Sequence, residues 1–211
     1  MTNAPSSDPE FARWQGRYAQ ADGYLFGETP NRYLAAMKAH LPASGRALAV
    51  ADGDGRNGVW LARQGLSVLS LDFSDVAQKK ARALAERHGV ALDLVCADVH
   101  AWEYPEAAFD AVVEIFAQFS TPDERARKWD GMRRALRPGG VLIVQGYTPK
   151  QLEYGTGGPK SLDRLYTNAM LDAAFGDFET LDQVEEEIEM NEGGGHVGMS
   201  AVIGRVARKP R

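Results

Sequence analysis

One cysteine, Cys96, stands in 211 residues, so no disulfide can form within the chain. It falls in the apolar run 92–96, where packing is its expected role rather than reactivity. Histidine is also scarce. His40, His88 and His100 share no ligand spacing with one another or with Cys96, and no metal site is expected. No apolar run approaches the length of a membrane span. Residues 1–10 are polar and rich in Pro and Ser, without the charged-then-apolar pattern of a signal peptide. The expectation is a cytoplasmic protein with no membrane partner. A long basic block is missing too. The net charge is −5, and the one basic cluster, Arg205, Arg208, Lys209 and Arg211, reads as a solvated tail. Such a chain is poorly suited to gripping phosphate backbones, and no nucleic-acid partner is expected. With 44% hydrophobic and 25% charged residues, the composition is that of an ordinary globule, long enough for one α/β domain and short for two. Neither an internal repeat nor a linker divides it, and a monomer or homodimer is expected.

What is present is organised around residues 47–58. Ala47 to Ala51 reads as a buried strand, and it runs into Asp52-Gly53-Asp54-Gly55, where the chain must turn. A helix begins near Asn57. Glycines in such a turn let the backbone approach a ligand and adopt positive φ, and the free N–H groups of the helix start favour negative charge. Gly53-x-Gly55-x-x-Gly58 also matches the dinucleotide fingerprint literally, so the turn alone does not choose the cofactor.

Before this centre, residues 1–9 read as a loose arm, and Glu10 to Gln20 as a helix striped by Phe11, Trp14 and Tyr18. An aromatic loop follows between Gly23 and Gly27. Thr29-Pro30 reads as the N-cap and first residue of the next helix, which Pro42 stops. After the centre come a strand at Ser67–Leu71 ending in Asp72, a helix over Asp75–His88 capped by Ser74, and a strand at Ala91–Cys96 ending in Asp98. A fourth strand spans Phe109–Ile115. Thr121-Pro-Asp-Glu124 is a capping box that opens a helix, Arg137 to Gly140 is a turn, and Val141 to Val144 is the fifth strand. Strict alternation of strand and helix predicts a parallel sheet covered on both faces. The pattern then changes to a long loop over Thr148–Asp163, a short helix over Thr167–Phe175, and two long strands, Phe178–Met190 and Val197–Ala207. These strands form an antiparallel hairpin, with the acidic run Glu185, Glu187 and Glu189 as its wet face.

Ligands of open α/β sheets bind at the carboxyl ends of the strands, near the reversal of strand order. Four features converge there. They are the glycine turn with Ala51, Asp52, Arg56 and Asn57; Asp72 with Phe73, 19 residues after Gly53; Asp98 with Val99; and Glu114 to Phe119. Asp72 is placed to accept hydrogen bonds from both ribose hydroxyls. Asp98 is placed to take an adenine amino proton, with Val99 beside the ring. Two acids at successive strand ends point to an adenosine, which NAD and S-adenosylmethionine share. The short chain, the role left for Asp98 and the hairpin after strand five favour S-adenosylmethionine.

The residues Asp54-Gly55-Arg56-Asn57, Leu71-Asp72-Phe73-Ser74, Ala97-Asp98, Phe109-Asp110-Ala111-Val112-Val113 and Leu136-Arg137-Pro138-Gly139-Gly140 resemble the motifs of class I S-adenosylmethionine-dependent methyltransferases. Tyr147 to Gly158 is similar to the small-molecule branch that includes tellurite-resistance and thiopurine methyltransferases. The resemblance runs from about Phe11 to Pro210. It implies a Rossmann-like, doubly wound seven-stranded sheet, mostly parallel with an antiparallel edge strand. It also implies methyl transfer to a small molecule such as a thiol, a chalcogen oxyanion or a hydroxylated metabolite. Residues 1–44 would form a helical lid segment, 45–147 the cofactor-binding core, and 148–211 the lid loop, short helix and hairpin. Candidate catalytic residues are Glu114, Tyr147 and His196, and candidate substrate contacts are Tyr18, Tyr24, Phe26, Phe116, Glu153 and Tyr154. No Asn/Asp-Pro-Pro-aromatic tetrad follows strand four, which argues against methylation of nucleic-acid amino groups. Two positions depart from the family. Its strand-one acid is Ala49 here, and its first turn glycine is Ala51, with Asp52 or Asp54 available in compensation. A NAD(P)-dependent oxidoreductase and a catalytically weakened S-adenosylmethionine-binding protein stand as the alternatives.

Overall fold

A computed structural model describes residues 9–211, so the arm expected over residues 1–9 lies outside the described residues up to residue 8. Seven strands form one sheet: β1 (Gly45–Val50), β2 (Leu66–Asp72), β3 (Leu92–Cys96), β4 (Phe109–Ile115), β5 (Leu136–Tyr147), β6 (Glu179–Glu192) and β7 (His196–Arg208). Their order is β3-β2-β1-β4-β5-β7-β6. β1 to β5 are parallel, and β7 is antiparallel to both β5 and β6. The helices are α1 (Pro9–Gln20), α2 (Arg32–Ala36), α3 (Arg56–Arg63), α4 (Asp75–Arg87), α5 (Pro122–Ala135), α6 (Gln151–Tyr154) and α7 (Asn168–Phe175). This is the seven-stranded, mostly parallel architecture expected.

β1 explains the central position of its segment. Ala47 and Ala49 enter one core layer with Leu34, Leu61, Val113 and Ile143. Leu48 and Val50 enter the other, with Val112, Trp129, Met132 and Leu142. A strand buried on both faces reads as a continuous apolar run and belongs in the middle of a parallel sheet. Chain order reverses between β1 and β4, so their carboxyl ends flank the crevice where α/β folds bind ligands.

Several local expectations give way. Asn31, not Thr29, caps α2, its side chain accepting the Leu34 N–H at 2.9 Å, so Pro30 precedes the helix. Arg137 to Gly140 is an irregularity inside β5 rather than a turn before it: pairing with β4 jumps from Phe109–Leu136 to Ala111–Val141. The loop at 148–163 contains the four-residue α6. Its length invited the reading of an unstructured segment, because four residues carry too little periodicity to announce a helix. Cys96 is exposed at the end of β3, its Sγ donating to the Phe73 carbonyl at 3.3 Å, and is not a packing residue.

The basic cluster is not a solvated tail. Arg205 is buried in β7, pairs with Asp172 at 2.7 Å and donates to Gln183 at 2.7 Å. Lys209 Nζ donates to the carbonyls of Arg133 and Leu136, each at 2.7 Å, binding the chain end to α5. No described helix is long and apolar enough to cross a membrane.

Candidate active site

The turn after β1 is built from left-handed backbone. Ala51, Gly53 and Gly55 have φ of 53°, 61° and 91°. Ala51 therefore occupies a conformation that disfavours a Cβ by roughly 1–2 kcal/mol. A side chain on Gly53 would collide with the Tyr18 hydroxyl, and one on Gly55 with Ala81 of α4. The first glycine lets α1 close over the turn, and the second lets α3 and α4 pack closely. Ala49 is buried among apolar side chains, so no acid lies in β1. Asp52 ties the turn down instead. Its carboxylate accepts the Gly58 N–H of α3 at 3.0 Å and the Ser70 hydroxyl of β2 at 2.8 Å. Asp54 accepts the Leu25 N–H at 2.7 Å, which fixes the aromatic loop.

Asp72, at the end of β2, is buried and accepts N–H groups from Gly53 at 2.9 Å and Ser74 at 2.8 Å. Burial pushes its carboxyl up to about 7, with Asp52 and Asp54 adding repulsion against the two N–H bonds. Burial likewise raises Asp52 to about 6 and moves Asp54 upward. The Tyr18 hydroxyl, buried beside these three acids, is held well above its ordinary value and stays a neutral donor.

Across the crevice, Phe116 follows the end of β4 with a left-handed φ of 54°. Its ring lies 4.6 Å from those of Tyr147 and His196, and Phe26 closes on His196 at 4.5 Å. Tyr147 Oη and His196 Nδ1 are 3.2 Å apart. Burial, then the charges of Arg56 and Arg17, lower the His196 imidazole to about 3, so it is neutral at physiological pH. Gln118 is buried and holds this side in place. It accepts the Tyr147 N–H at 2.5 Å and donates to the carbonyls of Tyr147 at 2.9 Å and Arg164 at 3.1 Å.

Two cavities meet here. The inner one, about 50 Å³, is walled by the turn, Asp72, Phe73, Tyr18 and Phe116. The outer one, about 720 Å³, is walled by α1, Gln118, Tyr147 and residues 157–161 and 164. Trp14, Phe26, Phe116, Phe119 and His196 line both. Ligand pockets generally hold ~300–1,000 Å³, so the inner cavity is closed to a nucleoside while α1 lies in place. Lys80 holds α1 there, Nζ donating to the carbonyls of Tyr18 at 2.7 Å, Ala21 at 3.1 Å and Gly23 at 2.6 Å.

The structure brings together much of the predicted set. Ala51, Asp52, Arg56, Asn57, Asp72, Phe73, Tyr18, Phe26, Phe116 and His196 line the inner cavity, and Tyr147 the outer. Glu114 is a correction. Strand alternation turns it onto the face beneath α5, where it is fully buried against Lys128 Nζ at 3.2 Å, Trp129 Nε1 at 3.2 Å and the Tyr166 hydroxyl at 2.5 Å. It lines neither cavity and is a core ion pair. Tyr24 is drawn away from the crevice, donating to the Lys80 carbonyl at 3.1 Å beneath the Arg87 guanidinium. Glu153 and Tyr154 also miss the outer cavity; Tyr154 donates to Glu187 on the hairpin. Val99 points into the core, and Asp98 bonds its own neighbour His100, through the backbone N–H at 2.8 Å and Nδ1 at 3.1 Å. That hydrogen bonding holds the Asp98 carboxyl below its ordinary value. Gln118 and Phe119 lie in the expected segment after strand four, while Trp14, Arg17 and Arg164 carry no site signal in the sequence. Trp14 was visible as part of the α1 stripe, but nothing in the sequence says which surface that stripe meets. Among the described residues no group of three or more His, Cys, Asp or Glu could hold a metal ion.

Residues 47–140 match the methyltransferase domain family. The uncharacterized protein Rv1405c of Mycobacterium tuberculosis is 30% identical over 103 residues, covering 49% of this chain and 37% of that protein. The chain thus spans well under half the length of this relative. Among solved structures, the N-methyltransferase NodS of Bradyrhizobium japonicum, in complex with S-adenosyl-L-homocysteine, superposes with a TM-score of 0.74 at 14% identity, over 97% of this chain and all (100%) of NodS. TehB of Haemophilus influenzae gives a TM-score of 0.67 at 20% identity, over 83% of this chain and 60% of TehB.

Proposed function

We propose that this protein transfers the methyl group of S-adenosylmethionine to a small molecule bound in the outer cavity; the match of residues 47–140 to the methyltransferase domain family and the fold shared with NodS support this reading. The observation that carries the reading is Asp72. A buried carboxylate at the end of β2, set against a left-handed glycine turn and a helix N-terminus, is an acceptor waiting for hydroxyl donors. The residues fit the cofactor: Asp72 would hold the ribose hydroxyls, the Gly53–Gly55 backbone would pass beneath the ligand, and Phe73 and Phe119 would cover it. The inner cavity must widen to admit it, so the described segment 9–44, and α1 above all, acts as a lid over the core at 45–147. Residues 148–211 supply the opposite wall.

S-adenosylmethionine held here would supply an electrophilic methyl group on a sulfonium and would leave as S-adenosyl-L-homocysteine once the acceptor had taken that methyl. What the chain contributes is alignment and exclusion of water. Phe26, Phe116 and Tyr147 surround the junction of the cavities with aromatic faces, which desolvate a reacting centre whose positive charge disperses. His196 stands at the same junction as a neutral imidazole oriented by the Tyr147 hydroxyl. It is in its proton-accepting form at physiological pH, but its depressed basicity suits it to an acceptor that ionises readily.

The test is thermal shift with S-adenosyl-L-homocysteine beside NAD, followed by methyl-transfer assays over candidate acceptors. Stabilisation by S-adenosyl-L-homocysteine alone is expected. Stabilisation by NAD alone would replace this reading with an oxidoreductase. Binding without transfer to any acceptor class would leave a non-catalytic binder of the same ligand.

A further inference from the structure

The chain is acidic, with a net charge of −5, yet among the described residues the outer cavity is walled by Arg13, Arg17, Lys160 and Arg164 against the one carboxylate of Glu10. That carboxylate is shared between Arg13 at 3.0 Å and Arg164 at 3.8 Å. Arg17 has no acidic partner among the described residues. Its guanidinium is half-buried, stacked 4.5 Å from the Trp14 ring centroid and 5.8 Å from that of Phe26. Burial and the neighbouring Arg13 both lower its pKa, and an anion beside it would act in the opposite direction. In the same wall, the buried Trp14 Nε1 has no hydrogen-bond partner. Phe116, Phe119 and Tyr147 line the same cavity.

We propose that the outer cavity takes an aromatic methyl acceptor bearing an acidic oxyanion group, its ring against Trp14 and Phe116 and its anion on Arg17, with Arg164 and Lys160 completing the charge. This rests on the assignment of the outer cavity to the acceptor. The size, about 720 Å³, is that of a small-molecule pocket. A planar guanidinium already stacked on an aromatic ring presents its edge donors to a carboxylate or phosphate in fixed geometry. The bound anion would also sit where it offsets the unfavourable charge of Arg17 near His196.

The experiment is isothermal titration of the full chain, saturated with S-adenosyl-L-homocysteine, using hydroxybenzoates, aryl phosphates, and the neutral amides and cationic amines of the same ring skeletons. Acidic ligands are expected to bind at least about tenfold tighter than their neutral isosteres, with the carboxylate and phosphate arms deciding which oxyanion fits. Arg17→Gln should remove that preference, and Arg17→Lys should restore part of it. S-adenosyl-L-homocysteine affinity, which reports both folding and the inner cavity, should stay within about twofold in each variant. Equal binding of neutral or cationic analogues, or an acid preference unchanged in Arg17→Gln, would overturn the proposal. If S-adenosyl-L-homocysteine fails to bind, the methyltransferase reading falls, while the acid preference is still measured on the chain alone.

Discussion

Asp72 sets binding and folding against each other, and Asp72→Asn separates them. In the ligand-free protein its carboxyl titrates near 7, against about 4 in an unfolded chain. The folded form therefore holds a proton that the unfolded form has already released between those limits. Stability from this group is full below pH ~4, falls as the pH rises, and is fully lost above about 7. Some three units correspond to roughly 4 kcal/mol at pH 8. The asparagine removes that burden, but its NH2 group faces either the Gly53 or the Ser74 N–H, losing one hydrogen bond at about 1–2 kcal/mol. The ligand-free variant should therefore be about 2 kcal/mol more stable than wild type at pH 8, or roughly 4–8 °C in Tm. This advantage should vanish near pH 5. Binding moves the other way. A carboxylate accepting two hydroxyls at ~1.5–3 kcal/mol each is replaced by one amide oxygen, so affinity for S-adenosyl-L-homocysteine should fall about 100-fold or more. Wild-type affinity should itself tighten with pH up to about 7 and then level off, because only the ionised carboxyl accepts both hydroxyls. Melting curves with and without ligand at pH 5, 6.5 and 8 read all three effects. A variant that melts below wild type at pH 8, or that keeps the full ligand-induced shift, refutes the reasoning.

Glu114→Gln leaves Lys128 as a fully buried ammonium without its counter-charge, at about 3–5 kcal/mol in urea unfolding. Lys128→Met on that background should recover most of the loss, and no recovery would mean that the pair is not the source. Ala51→Gly should be neutral or stabilising by up to ~1 kcal/mol because φ is 53° there. Ala47→Gly, four residues earlier and fully buried in the same strand region, should instead destabilise; equal losses at the two sites would discount backbone strain at Ala51. Lys80→Met removes three carbonyl contacts from the end of α1. Stopped-flow association of S-adenosyl-L-homocysteine should accelerate severalfold, and an unchanged rate would show that α1 does not control entry.

The parallel core was legible because its signals are local and mutually consistent. Apolar runs ended in acids, helices opened on Ser74 and the Thr121–Glu124 capping box, and glycines marked the turns. The site was legible where the turn or the end of a strand fixes direction, as for Asp52, Gly53 and Asp72. It was misread where one step of pleat decides. Glu114 lies in a strand that enters the crevice, but alternation sends it into the core with Lys128. Tyr24 and Tyr154 failed for a different reason: each sits in a loop or single-turn element whose direction depends on a distant partner, Lys80 or Glu187. Gln118 acts through the carbonyls of Tyr147 and Arg164, 29 and 46 residues away, and carries no pattern of its own.

The placing of β7 between β5 and β6 has a consequence for the order of synthesis. β6 emerges from the ribosome before its only neighbour in the sheet exists, and β5 keeps a bare hydrogen-bonding edge until β7 follows. Glu192, whose carboxylate reaches Arg56 at 2.8 Å and the Asn31 side chain at 3.2 Å, can draw the hairpin tip onto the glycine turn only after both strands are made. A nascent chain stopped at residue 195 would thus hold the β1–β5 sheet with an unprotected edge, the species most exposed to chaperones and to pairing with its own copies.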